Sequence, residues 1–162
     1  MSSLTRFSPA GLALLAALSL PTAAAPAPMG AFAALAGSWS GGGTLTMADG
    51  RAERLRCRAS YDVGGGSNLS LNLRCASDSY NFDLRSDVEY QGGAIRGSWS
   101  ESSRNASGTI SGRADGNHIQ ASATGPNFNA NLSLATQGNH QTVSIRSAGT
   151  EISDVTVTLN RR

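Results

Sequence analysis

Two histidines, His118 and His140, are the side chains of this 162-residue chain best suited to acid-base or metal chemistry near neutral pH. His118 precedes Ile119, and His140 lies an odd number of positions before Val143 and Ile145. In alternating strands both imidazoles therefore point away from the apolar face. Because a catalytic base needs a fixed position and a tuned pKa, we expect no enzyme activity, no metal site and no cofactor.

Three carboxylates are also expected to point away from the apolar face. Asp83, Asp87 and Glu89 alternate with apolar residues of their own predicted strand and therefore lie on its opposite face. The pattern predicts a protein interior without an acid, a base or a metal ligand. A Ser-His-Asp arrangement would have to form on the exterior or in loops.

Cys57 and Cys75 are the only cysteines of the chain. If residues 64–68 form a hairpin loop, Val63 pairs with Leu69 and Cys57 lies opposite Cys75. Opposed residues of two antiparallel strands come close enough for a disulfide. A bridge of this span contributes roughly 3 kcal/mol to the free energy of unfolding. The alternative is two buried free thiols.

Every basic residue is an arginine, and the net charge is only +2. Arg54, Arg56 and Arg58 alternate with inward residues, and Arg74 lies opposite Arg58 in the predicted hairpin. Like charges in directly opposed positions are mildly destabilising, and Asp83, diagonal to Arg74 across the next strand pair, is expected to supply a counter-charge. These arginines form either an anion site, for a lipid phosphate, an acidic glycan or an acidic protein face, or a solvated surface. No exposed aromatic residues alternate with them, so nucleic acid is not expected.

From Gly37 onward, apolar residues alternate with polar ones between regularly spaced turns, which is typical of an all-β fold. The predicted strands span residues 38–47, 52–63, 69–76, 79–90, 94–101, 106–114, 117–124, 128–136, 141–147 and 153–160. A long meander usually closes, because closure removes exposed edges. We predict an antiparallel up-and-down barrel of eight to ten strands, with an open or split sandwich as the second alternative.

Hairpin registers test this interpretation. A turn at Gly92-Gly93 pairs Tyr90 with Ile95, and a turn at Asp115-Gly116 pairs Ile110 with Ala121. A loop at 76–79 pairs Cys75 with Tyr80, Leu73 with Phe82 and Leu71 with Leu84. A turn at Gly138-Asn139 pairs Leu134 with Val143 and Leu132 with Ile145. Each register keeps one apolar face and sends Ser, Thr and Asn outward. Outer-membrane barrels face lipid with an apolar band, so we expect a barrel surrounded by water.

The predicted interior carries aromatic side chains that could bind an apolar ligand: Trp39, Tyr61, Tyr80, Tyr90, Trp99 and Phe128. Very small residues also point inward: Gly41, Gly43, Gly97, Gly108, Gly112, Ala121, Ala123 and Ala130. Small residues either leave room for a ligand or mark bends and close strand contacts in a filled core. Both interpretations remain open from the sequence.

Gly37-Ser38-Trp39, after a short predicted helical turn, resembles the G-x-W opening of lipocalins and other calycin barrels. The longer pattern Gly37-x-Trp39-x-Gly41-x-Gly43 is similar to the opening of nitrobindin-type haem barrels. Those barrels hold iron through a histidine near the C-terminus, whereas the closing strand Ser153–Asn160 has none. The resemblance therefore implies a calycin-like barrel with an apolar ligand, but not haem. It also extends to small periplasmic protease inhibitors, whose N-terminal tail enters the protease, as Ala25–Met29 would here.

The N-terminus has the pattern of a secretory signal peptide. Arg6 precedes the eleven-residue apolar run Ala10–Leu20, and Pro21 and small residues follow. We predict a signal peptide at 1–24, a tail with a short helical turn at 25–36 and a barrel domain at 37–162. The expected product is an exported protein of a Gram-negative periplasm, with no membrane span in the mature chain. It would bind a small apolar ligand or an envelope component, or act as an inhibitor through its tail or arginines.

Overall fold

The computed structural model describes residues 30–162. The predicted signal peptide and the tail Ala25–Met29 lie outside these residues. A single turn of 3-10 helix, Ala33–Leu35, comes first and ten strands follow. The strands are β1 (Gly37–Met47), β2 (Ala52–Gly64), β3 (Asn68–Ala76), β4 (Asn81–Gln91), β5 (Ala94–Glu101), β6 (Ala106–Asp115), β7 (His118–Gly125), β8 (Phe128–Gln137), β9 (His140–Ser147) and β10 (Ile152–Arg161).

Each strand pairs antiparallel with its neighbours in sequence, and β10 returns to pair with β1. The sheet is therefore a closed ten-stranded barrel, which confirms the predicted all-β meander and excludes the sandwich. Closure leaves every strand of the barrel paired on both sides. Among residues 30–162, no helix is long and apolar enough to span a membrane.

Three predicted hairpin registers are confirmed. Val63 pairs with Leu69, Tyr90 with Ile95, and Leu134 with Val143. The first of these registers places Cys57 directly opposite Cys75, and the two form the predicted disulfide.

The β6–β7 hairpin differs from the prediction by two residues, because its turn is Gly116-Asn117 rather than Asp115-Gly116. Ile110 consequently pairs with Ala123, not with Ala121. Gly116 has a φ of +55°, and Gly138 in the turn Gly138-Asn139 has a φ of +58°. Both turns thus place a glycine at the first central position, where positive φ is required and other residues are strained.

The β3–β4 hairpin is also displaced by two residues. Its loop spans residues 77–80, so Cys75 pairs with Phe82, Leu73 with Leu84 and Leu71 with Ser86. The carboxylate of Glu53, on the neighbouring β2, accepts hydrogen bonds from Ser77 Oγ at 2.6 Å and from Ser79 N at 3.0 Å. This contact from another hairpin holds the loop, and it places Tyr80 in the loop instead of in the strand. A displacement by two residues leaves every side chain on the same face of the sheet (its parity), so the apolar face is unchanged.

The 3-10 helix plugs one end of the barrel, hereafter the closed end. Phe32 is fully buried there, and Trp39 Nε1 donates a 2.7 Å hydrogen bond to the carbonyl of Leu35. The guanidinium of Arg161 lies 4.3 Å from the ring centroid of Trp39 and donates to the carbonyls of Ala34, at 2.7 Å, and Ala36. The last strand thereby holds the plug in place. The opposite end, formed by the β1–β2, β3–β4, β5–β6, β7–β8 and β9–β10 loops, is hereafter the open end.

Several of the inward glycines mark close contacts between strands. A Cβ on Gly41 would overlap the carbonyl oxygen of Thr158 on the adjacent β10. A Cβ on Gly108 would overlap the carbonyl of Thr124 and approach Trp99 Nε1 to 2.8 Å. These glycines let strands approach and let the Trp99 indole lie against the wall, so they do not leave empty space.

Candidate functional site

The half of the barrel interior next to the plug, hereafter the closed half, is packed and internally hydrogen-bonded. The Tyr61 hydroxyl donates to Gln141 Oε1 at 2.7 Å, and Gln141 Nε2 donates to Thr136 Oγ1 at 3.3 Å. Gln141 and Thr136 are almost completely buried. Burial raises the pKa of Tyr61 well above its usual value, although the bond to Gln141 opposes the rise. Tyr61 is therefore a neutral part of the core.

Two more of the aromatic residues predicted to bind a ligand also belong to the closed end. Trp39 is 1% exposed beneath Arg161. Tyr90 packs edge-on against Phe32, with ring centroids 6.2 Å apart. Arg161 thus covers the Trp39 ring, and Phe32 of the plug packs against Tyr90.

The half of the interior next to the open end, hereafter the open half, is unevenly filled. Beside the β1–β2 loop, Leu45, Met47 and Leu55 are buried. Along β3, β4, β6 and β8 to β10, several inward apolar residues are only half-buried. They are Leu71, Leu73, Phe82, Leu84, Ile110, Leu132, Val143, Ile145 and Val155. We infer that part of this exposed surface faces interior space, although Phe82 and Leu132 also line grooves on the outer wall. Trp99 and Phe128, both predicted ligand residues, contact each other beside this space with ring centroids 5.2 Å apart.

Ser86 is the polar exception in the inward row of β4. It pairs with Leu71 on β3 and with Trp99 on β5, and it is 6% exposed. Its Oγ has no hydrogen-bond partner among the described residues. Most buried hydroxyls in proteins are satisfied, and one that is not costs free energy. Ser86 was not predicted as a site residue from the sequence, although it lies on the same face of β4 as Leu84 and Val88.

Glu101 corrects the prediction that the interior holds no acid. It shares the inward parity of Trp99, at the open end of β5, and is 6% exposed. Its carboxylate accepts hydrogen bonds from the backbone N–H groups of Asp83, Ser103 and Arg104 at 2.9–3.0 Å. Burial acts to raise the pKa of Glu101, but these donors outweigh it and the pKa is lowered. Glu101 is thus an ionised anchor for the β5–β6 loop.

Arg104, in that loop, forms the rim of the open end with two aromatic rings. Its guanidinium lies 4.8 Å from the ring centroid of Phe82 and 5.5 Å from that of Tyr80. The two rings are stacked with centroids 6.3 Å apart. Interaction with the Glu151 carboxylate raises the pKa of Tyr80. Of the six aromatic residues predicted to bind a ligand, Tyr80 therefore lies at the entrance and not in the interior.

Both histidines are exposed, His118 beside the β6–β7 turn and His140 beside the β8–β9 turn. Within residues 30–162, no three His, Cys, Asp or Glu side chains come together in a group that could hold a metal ion.

A second candidate site lies on the outer wall, hereafter the arginine groove. Arg56, Arg58, Arg74 and Arg162 line a groove of about 750 Å³ across β1 to β4. Arg54, also predicted for an anion site, lies one row nearer the open end, where it pairs with Thr44. Asp83 lies directly opposite Arg74, not diagonal to it, with 3.3 Å between Asp83 Oδ2 and Arg74 Nε.

Arg162 is the groove residue that sequence reasoning missed. Its Nε donates a 2.6 Å hydrogen bond to Ser40 Oγ on β1, and Ser40 pairs with Arg58 on β2. The residue follows the last strand, so only the pairing of β10 with β1 brings it to the groove. Such a contact between chain ends leaves no local signal in the sequence.

No family model matches the chain, and no curated protein matches it either. Solved structures of similar fold do exist. Rv2717c from M. tuberculosis has a TM-score of 0.63 at 16% identity, covering 84% of this chain and 98% of its own. The S-type phycobiliprotein lyase CPES from Guillardia theta has a TM-score of 0.55 at 12% identity, covering 81% and 90%. EF1p2_mFAP2b bound to DFHBI has a TM-score of 0.51 at 12% identity, covering 82% and 97%. At these identities the likeness shows the barrel fold alone.

Proposed function

We propose that this chain is an exported, non-enzymatic barrel protein that binds a small, mostly apolar ligand in the open half of its interior. The observation that carries the proposal is the unpaired, buried hydroxyl of Ser86 among inward apolar side chains that remain partly exposed. A ligand there would cover apolar surface, at about 25 cal/mol per Å². The Ser86 Oγ is closed to water in this structure, so a ligand would supply its missing hydrogen bond once the neighbouring side chains turn aside.

The lining also indicates the shape and charge of the ligand. The plug at Phe32 and Leu35 closes one end, so entry would be through the open end beside Arg104. No arginine of residues 30–162 lines the open half below this rim, so an anionic head group would lie there without a counter-charge. The inward carboxylate of Glu101 is already satisfied by three backbone N–H groups. The ligand is therefore an uncharged molecule with one hydroxyl or carbonyl placed near Ser86.

Similar barrels support a ligand-binding role. EF1p2_mFAP2b is described in complex with DFHBI, and CPES is described as a phycobiliprotein lyase. The Gly37-Ser38-Trp39 opening adds a resemblance to lipocalins. Haem is not part of the proposal, because β10 contains no histidine and His140 is exposed.

Export is proposed on two grounds. The first is the signal-peptide pattern at residues 1–24. The second is the disulfide between Cys57 and Cys75, since disulfides persist mainly in oxidising compartments such as the periplasm.

The experiment is a titration of the mature protein with N-phenyl-1-naphthylamine, an uncharged apolar fluorophore, in wild type and two matched variants. Val143→Phe enlarges an inward side chain of the open half, whereas Thr142→Phe enlarges its exposed neighbour. We expect saturable binding that Val143→Phe weakens roughly tenfold, equivalent to about 1.4 kcal/mol, and that Thr142→Phe leaves unchanged. Absence of binding to wild type, or equal binding by both variants with wild-type circular dichroism, would overturn the proposal.

A further inference from the structure

We propose that the arginine groove is a binding site for a phosphate-type oxyanion, separate from the interior. Arg58 and Arg74 are directly opposed in the β2–β3 ladder, and Arg56 lies one step along the same face of β2. Adjacent strands are about 4.8 Å apart and alternate residues about 6.8 Å apart. Three flexible guanidinium groups can therefore converge on one anion of phosphate size.

The charge of the groove is strongly unbalanced. Among its described lining residues are four arginines and a single carboxylate, Asp83, which pairs with Arg74. Directly opposed like charges destabilise a sheet. Asp83 compensates Arg74, whereas Arg58 forms no ion pair among residues 30–162, so an anion between the two arginines would stabilise the pair further. Guanidinium forks match the oxygens of phosphate in bidentate geometry, which makes a phosphoryl group the best-fitting anion.

The groove is also held in shape from below. The disulfide joins Cys57, between Arg56 and Arg58, to Cys75, beside Arg74. It therefore fixes the register that opposes the arginines. On the far side, the bond from Arg162 to Ser40 orients a fourth guanidinium. Besides stabilising the barrel, these constraints preorganise the groove, which lowers the entropic cost of binding.

The test measures binding of inorganic pyrophosphate by isothermal titration calorimetry at low ionic strength. The site variant is Arg58→Gln with Arg74→Gln. The control is Arg96→Gln with Arg113→Gln, which removes the same charge from exposed outer-face positions of β5 and β6. We expect the site variant to lose at least roughly tenfold in affinity, because two charge-assisted contacts are removed, and the control to match wild type.

Two results would overturn the proposal. One is no measurable binding of pyrophosphate or of anionic vesicles by wild type. The other is an equal loss in site and control variants, which would indicate a diffuse charge effect. The comparison is valid if the site variant unfolds at the same temperature as wild type. Arg58→Lys with Arg74→Lys is a second variant, which retains the positive charges but lacks the guanidinium fork.

A second experiment distinguishes a lipid headgroup from a soluble phosphate compound. It measures cosedimentation of the protein with vesicles of phosphatidylglycerol and phosphatidylcholine. Vesicle binding that falls only in the site variant assigns the group to a lipid headgroup. Pyrophosphate binding without vesicle binding assigns it to a soluble solute. We expect the site variant to bind N-phenyl-1-naphthylamine with wild-type affinity. The oxyanion site and the interior ligand site can therefore be tested independently of each other.

Discussion

Tyr61 on β2 and Gln141 on β9 meet inside the barrel, where the Tyr61 hydroxyl donates a 2.7 Å hydrogen bond to Gln141 Oε1. In the sheet, β1 and β10 separate these two strands. The bond thus ties the wall together across the closed half, beneath the space proposed for a ligand.

Loss of this bond is expected to destabilise the whole barrel. Tyr61→Phe leaves Gln141 Oε1 buried without its donor, which costs about 1–3 kcal/mol in the free energy of unfolding. Urea denaturation followed by circular dichroism measures it. Tyr90→Phe is the control, because Tyr90 is half-buried and its hydroxyl makes no hydrogen bond within residues 30–162, and its effect should stay below about 0.5 kcal/mol. Equal effects of the two variants would contradict the prediction.

Ser86→Ala is expected to keep or raise stability, by up to about 1 kcal/mol, because it removes an unsatisfied buried hydroxyl. The same change should weaken binding of an apolar alcohol while leaving binding of the corresponding hydrocarbon unaltered. Thermal unfolding and competition with N-phenyl-1-naphthylamine measure the two effects. Clear destabilisation without ligand would mean that Ser86 already has a partner.

Glu101→Gln should destabilise the β5–β6 loop at neutral pH, by about 1–3 kcal/mol, because three backbone donors lose a charged acceptor. The pKa of Glu101 in the folded state is lowered below its ordinary value of about 4.5. Its stabilisation is therefore complete above that value and is lost as pH falls through the folded-state pKa.

Urea denaturation from pH 7 to pH 3 tests this linkage. Wild type should lose the contribution of Glu101 on acidification, and Glu101→Gln should show a correspondingly flatter profile. Glu89→Gln, at an exposed position, controls for general charge effects. Parallel profiles for wild type and Glu101→Gln would show that Glu101 does not stabilise through its charge.

Removal of the disulfide is expected to lower stability by roughly 2–4 kcal/mol in oxidising buffer. Thermal unfolding of Cys57→Ser with Cys75→Ser, with and without dithiothreitol, measures this. The reductant should destabilise wild type and leave the variant unaffected. It should also weaken pyrophosphate binding by wild type, since the bridge holds Arg58 opposite Arg74.

Aspartate substitutions along β8 should report depth in the barrel. Leu134→Asp should prevent folding, because it places an unpaired charge at a buried position of the core. Leu132→Asp, facing the interior space of the open half, should be tolerated better. Asn131→Asp, on the exposed face, should change stability by less than about 0.5 kcal/mol. If Leu132→Asp and Leu134→Asp are equally damaging in chemical denaturation, the interior is filled throughout.

Parity, turn chemistry and the disulfide could be predicted from the sequence because each depends on neighbouring residues. Alternation is decided by the next side chain along the strand, and Gly92-Gly93 or Gly138-Asn139 determines its own hairpin. Parity also placed Glu101 and Ser86 inside, so both were available to the same reasoning. In the two displaced hairpins the predicted registers were wrong by two residues. Each side chain nevertheless lies on the predicted face, because alternation along a strand does not depend on the register.

The tertiary structure alone decided how the inward residues divide between plug, core and ligand space. The β3–β4 loop takes its position from Glu53 on another hairpin, and Arg162 reaches Ser40 only because β10 closes on β1. Trp39, Tyr61 and Tyr90 belong to the closed end because the 3-10 helix occupies it, whereas Trp99 and Phe128 border open space. Such contacts join residues far apart in sequence and depend on strand stagger and closure, which no local pattern encodes.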